Sequence, residues 1–104
     1  MSNIEAQAFK MFKSPSTDEY KRHVMASVKA LIDETPRITV NRLKTVMQTR
    51  FFVEGDDVDG ALSALLNVYH CISSFKVPNR DAVHLNPRCS EVWDQRDHQQ
   101  LQTA

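Results

Sequence analysis

Apolar residues recur at helical spacing as far as His70 and then change to a β-prone, alternating pattern, and this change of period points to several helices followed by a β-hairpin. The clearest helical stripe is Tyr20, Val24, Val28, Leu31 and Ile32. It starts after Ser16, which has the capping-box spacing with Glu19, and it stops at Thr35-Pro36, where proline removes an amide donor and biases the preceding residue away from helical torsions. Ile38, Thr39 and Val40 predict a very short strand leading into Leu43, Val46, Met47 and Phe51, hence a third helix over 40–51. Residues 52–55 break the period. Asp56 or Asp57 is then expected to cap a fourth helix that carries Val58, Leu62, Leu65 and Tyr69 on one face, widened by Ala61 and Leu66, and runs to about His70. Residues 72–77 and 82–85 alternate and flank the turn-forming run Pro78-Asn79-Arg80-Asp81.

Before the first clear stripe, Ser2 and Glu5 repeat the capping-box spacing ahead of Ile4, Ala8, Phe9, Met11 and Phe12, which predicts a short amphipathic helix ended by Lys13-Ser14-Pro15. Residues 89–104 are polar and glutamine-rich, with Val92, Trp93 and Leu101 as the large apolar exceptions, so a loosely ordered tail is expected. The chain therefore divides into an amino-terminal helix (1–15), a central domain (16–88) and a tail (89–104). Its class is mainly α with a small β-hairpin, α+β overall; the competing architecture is a plain four-helix domain with 72–85 as an irregular loop.

At 104 residues, 41% hydrophobic and 25% charged, the composition suits one soluble domain with a modest core. Basic and acidic residues balance at 13 each, which removes the simplest argument for nucleic acid or an anionic membrane. No apolar run approaches the roughly 20 residues of a membrane span. The amino terminus lacks the apolar core of a signal peptide, so a cytoplasmic location is expected, with nuclear not distinguished from it.

Residues that could carry chemistry are sparse. Cys71 and Cys89 are too far apart for a CxxC motif and are expected as thiols, with Cys71 buried and inert. His23, His70, His84 and His98 are scattered without ligand spacing, so neither metal nor cofactor is expected. The two glycines, Gly55 and Gly60, build no phosphate-binding loop or nucleophile elbow. With no nucleophile, base and orienting group to assemble, the chain reads as a non-enzyme without an evident small-molecule substrate. Gly60 lies inside a helix, where it is about 1 kcal/mol worse than alanine, and this implies close packing.

Helix, short strand, helix, turn, helix and hairpin is an order that resembles the winged-helix superfamily over residues 18–87, with Ile38-Thr39-Val40 entering the second core helix and 64–72 passing from the probing helix into the wing. The resemblance implies a winged helix-turn-helix with an extra amino-terminal helix. It also implies that the probing helix turns Asp59, Gly60, Ser63, Ala64 and Asn67 outward. Members that bind DNA usually surround this helix with basic or amide groups. Here no basic residue occurs between Arg50 and Lys76, and the helix begins among Glu54, Asp56, Asp57 and Asp59. Acids brought near phosphates oppose binding.

The expected function is therefore a small regulatory or interaction protein. It would engage a protein partner, such as a nucleic-acid-handling protein, through the acidic edge Glu54, Asp56, Asp57 and Asp59 and through Phe9 and Phe12 of the amino-terminal helix. A second copy is the other partner weighed, because added terminal helices often dimerise winged-helix proteins. The alternative is a dimeric DNA-binding transcriptional regulator that uses Arg42, Lys44, Ser63, Asn67, Lys76 and Arg80 on the third helix, probing helix and wing.

Overall fold

The computed structural model describes residues 3–76 and 83–94. Its elements run α1 (Asn3–Phe9), α2 (Asp18–Glu34), β1 (Ile38–Thr39), α3 (Val40–Phe51), α4 (Gly55–Asn67), β2 (Ile72–Lys76) and β3 (Val83–Pro87). The class is α+β, with helices dominant and one small antiparallel sheet. The hairpin excludes the four-helix alternative, and the helix expected over 40–51 is observed with those bounds. The turn expected over 78–81 lies outside the described residues.

α2 is capped one residue later than its sequence suggests. Thr17, not Ser16, accepts the Tyr20 amide at 3.1 Å, while the Ser16 hydroxyl pairs with Ser14 at 2.7 Å. Asp18 and Glu19 sit in the first turn, where the helix dipole favours negative charge. Val24, Met25, Val28, Leu31 and Ile32 form the buried face. The chain then reverses through Arg37, which has φ 66°.

Thr39 has two jobs, as the last residue of β1 and as the cap of α3, where its hydroxyl accepts the Arg42 amide at 3.1 Å. β1 pairs with β3, and β3 pairs with β2, all antiparallel, giving the sheet order β1-β3-β2 with Leu85 facing both Ile38 and Ser74. Two backbone bonds anchor the hairpin to the helices: the Arg37 amide donates to the Leu85 carbonyl at 2.8 Å, and the Cys71 amide donates to the Leu65 carbonyl at 2.8 Å.

The core joins the α2 face to Leu43 and Met47 of α3, Val58, Ala61 and Leu65 of α4, and Ile72 and Leu85 of the sheet. α4 begins at Gly55, with Glu54 at the cap position and no side-chain bond there; neither Asp56 nor Asp57 caps it. It packs against α2, α3 and α1. Contact with the turn after α1 explains Gly60. A β-carbon there would lie 3.0 Å from the Met11 carbonyl oxygen and 3.0 Å from Phe12 Cα.

α1 and the turn after it thus belong to the same core, since Ala8 of the helix is fully buried and Phe12 of the turn is 7% exposed. The Glu5 carboxylate accepts from Arg22 Nε at 2.6 Å, and Lys21 and Arg22 lie over the Phe9 ring at 5.6 and 5.4 Å. Ser2, expected to cap this helix, lies outside the described residues. The start of the tail is also ordered. Residues 91–94 form a helical turn behind Ser90, whose hydroxyl donates to the Tyr69 carbonyl, and Trp93 meets Tyr69 edge to face at 5.3 Å. Of the tail, 89–94 are described and 95–104 lie outside the described residues.

Candidate functional site

Burial of α4 on two sides decides what it offers to solvent. Gly60 and Ala64, expected to face outward, are both in the core, because α1 covers a flank that a helix with one apolar stripe would leave open. Asp56, Asp59 and Asn67 remain exposed, with Ser63 half-buried between Leu62 and Leu66. These leucines pack against the core but are only partly buried by it. With Val40, Ile72, Val83 and Leu85 they line a groove of about 290 Å³ between α4 and the hairpin, edged by Asp59, Ser63 and Ser74.

The acidic edge is smaller than its sequence suggests. Asp57 is only 6% exposed and is held by two hydroxyl donors, Ser14 Oγ at 2.5 Å and the Tyr20 phenol at 3.0 Å, so it ties the 13–17 linker and α2 to α4. A carboxylate so buried and bonded is a structural pin, and the expectation that Asp57 meets a partner is corrected. The Tyr20 hydroxyl is pushed up to about 12 by its burial first, then by the bond to Asp57, then by the charges of Asp57 and Glu54. Asp59 pairs with Lys44 at 2.9 Å, an exposed bridge of the kind worth at most about 1 kcal/mol. The side chains of Glu54 and Asp56 make no hydrogen bond or ion pair with any described residue.

The apolar part of the expected partner surface is turned largely inward. Phe12 is in the core against Gly60, and Phe9 is half-buried beneath Lys21 and Arg22, so α1 has spent its large aromatics on its own domain. The exposed large apolar residues among those described are Met11, Phe51 and Phe52.

Among the described residues, the set considered for nucleic acid does not converge. Arg42 is exposed and lines a pocket of about 250 Å³ with Arg50, Glu34 and Val46, which shares no residue with the α4 groove. Lys44 is engaged by Asp59. Ser63 lines the apolar groove, and Asn67 is at the end of α4. Lys76 stands on β2 with its side chain outside the described part, and Arg80 lies outside it entirely.

Among the described residues no group of three or more His, Cys, Asp or Glu could hold a metal ion, and no helix is long and apolar enough to cross a membrane. Cys71 and Cys89 are free thiols, and burial raises the Cys71 thiol above its ordinary value, which suits an inert packing role. No family model matches the chain, and no curated protein or solved structure matches it.

Two features escaped the sequence. One is the groove, because Leu62 and Leu66 read as part of a single core stripe. The other is Phe52, which read as a break in the period; the signal was an aromatic doublet, Phe51-Phe52, at a helix end three residues before a glycine.

Proposed function

We propose that this chain is a non-enzymatic interaction module on a winged-helix scaffold, and that it takes a protein partner along α4 and the hairpin. Support for the scaffold comes from the order helix, strand, helix, helix, hairpin together with the sheet order β1-β3-β2, in which the short strand before α3 pairs with the far strand of the hairpin. On that scaffold α4 is the probing helix and β2 with β3 is the wing.

The observation that carries the function is the chemistry of the surface between them. A probing helix that reads DNA needs donors and positive charge against phosphate. This one offers Leu62 and Leu66 beside Val40 of α3 and Val83 of β3, edged by Asp59 and with Asp56 one turn earlier in α4. Apolar walls favour side chains that leave water on binding, and the acidic margin favours a partner with basic residues around an apolar patch. A protein that itself handles nucleic acid has that character.

The test uses the whole chain in two assays. Fluorescence anisotropy against random-sequence duplex at low salt is expected to give no binding. A photo-crosslinking residue placed at Ser63 in cells of the source organism is expected to capture one protein, and Leu66→Arg in the same chain is expected to lose it. Salt-sensitive DNA binding abolished by Arg42→Glu would instead support the dimeric DNA-binding regulator, whose best support is that Arg42 and Arg50 have no side-chain partner among the described residues.

A further inference from the structure

Phe52 is 87% exposed and holds φ 57° at the end of α3. Left-handed backbone is unfavourable for a residue with a β-carbon, and a ring left in water returns almost none of that by burial. The fold gains nothing from this phenyl group, so it is fully available to a ligand.

Beside it runs an open groove of about 550 Å³, with Phe52 and Glu54 on one side, Pro15, Thr17 and Tyr20 on the other, and the buried Asp57 reached between them. The amino ends of α2 and α4 both point here, and together they bring about one positive charge equivalent. Two carboxylates in the lining itself, Glu54 and Asp57, outweigh them, and no lysine or arginine is among the lining residues. The nearest lysine on α2, Lys21, is turned instead toward Phe9 and Phe12, at 5.6 and 5.9 Å from their rings. The groove therefore combines net negative charge with an uncovered aromatic face and a carboxylate, Glu54, that has no partner among the described residues.

We propose that this groove receives an arginine side chain from a basic segment of a protein partner, its guanidinium lying on the Phe52 ring and donating to the Glu54 carboxylate. The inference rests on the protein-interaction reading and adds the chemistry of the partner. Arginine fits better than lysine because a planar, weakly hydrated guanidinium can stack and bond in its own plane at once, whereas an ammonium is a compact and strongly hydrated charge. The raised Tyr20 hydroxyl, responding after burial and its hydrogen bond to the charges of Asp57 and Glu54, registers the same negative field.

The experiment is an amide NMR titration of the full chain with the peptide acetyl-Gly-Arg-Gly-Arg-Gly-amide and with its lysine counterpart. Shifts are expected at Ser16, Tyr20, Phe52 and Glu54, with the arginine peptide several-fold tighter. Phe52→Gly, Phe52→Asn and Glu54→Gln are each expected to weaken it about tenfold. Glu34→Gln, which removes the same charge from the far end of α2, is expected to leave it unchanged. Equal affinity for the two peptides, or an equal loss in Glu34→Gln, would overturn the site. A chain that fails here yet still crosslinks its partner through Ser63 refutes this inference alone.

Discussion

Gly60 of α4 lies directly against Phe12: a β-carbon at Gly60 would sit 3.0 Å from Phe12 Cα and 3.2 Å from its ring. That contact lets the segment after α1 approach the helix closely enough to bury Phe12, and it makes glycine necessary where helix propensity disfavours it. Gly60→Ala gains about 1 kcal/mol of propensity. It also overpacks a site whose nearest neighbours are main-chain atoms that cannot swing aside, a penalty of about 1–3 kcal/mol. The expected result is a net loss of roughly 1 kcal/mol in urea denaturation, with a larger loss for Gly60→Val. A stabilised Gly60→Ala variant would mean that the 10–13 segment moves away at no cost.

The Tyr20 to Asp57 bond gives a pH dependence. Tyr20 titrates near 12 in the folded chain against an ordinary 10, chiefly because of burial. A raised value means that the neutral hydroxyl contributes stability present in full below pH 10 and lost as pH rises through 12. Tyr20→Phe is expected to cost about 1–3 kcal/mol at pH 8, because it removes a donor to a buried carboxylate. The gap between wild type and variant should shrink when denaturation is repeated at pH 11. A constant gap would assign the loss to packing instead.

Trp93 is the one tryptophan of the chain, so its fluorescence reports the contact with Tyr69 without interference. An edge-to-face pair contributes about 0.5–1.5 kcal/mol beyond its burial. Ser90 holds the turn by donating to the Tyr69 carbonyl and lies 3.4 Å from the Trp93 amide. We expect the Trp93 emission shift on urea unfolding to coincide with loss of helical circular dichroism, and Ser90→Ala to destabilise both by about 1 kcal/mol. An earlier, separate fluorescence transition would show that the turn over 91–94 is not part of the cooperative unit.

Local patterns carried the elements well and the surface poorly. α3 was legible because its apolar residues and the break at Phe52 are local signals, whereas Thr39 read as strand alone and its capping of α3 was missed. The cap of α2 was misplaced by one residue because Ser16 and Thr17 are adjacent hydroxyls, and which one caps depends on Ser14 engaging the other. Asp57 read as part of an exposed acidic run. Its hydroxyl partners are 43 and 37 residues away in sequence, and no periodicity reveals such a meeting. Phe9 and Phe12 were open to two readings, core of their own domain first and a docking face second. Gly60 held the deciding information, as a residue that tolerates close approach, but the sequence does not say which segment approaches.

Phe52 separates stability from binding. Replacing it with glycine removes the left-handed penalty of about 1–2 kcal/mol and adds back roughly 0.5–1 kcal/mol for the extra freedom of glycine in the unfolded chain. Loss of an 87% exposed ring subtracts little burial. The balance predicts that Phe52→Gly raises stability by about 0.5–1 kcal/mol, read as a higher urea midpoint at unchanged slope. Asparagine, which tolerates the same torsions, should gain less. Phe51 gives the contrast: it is 38% exposed and stacks edge to face on His23 at 6.1 Å, within a regular helix, so Phe51→Gly should destabilise. A Phe52→Gly chain less stable than wild type would mean that the ring is covered in solution, for which a second copy of the chain is the first candidate, and sedimentation of the wild type against the variant would then separate dimer from monomer.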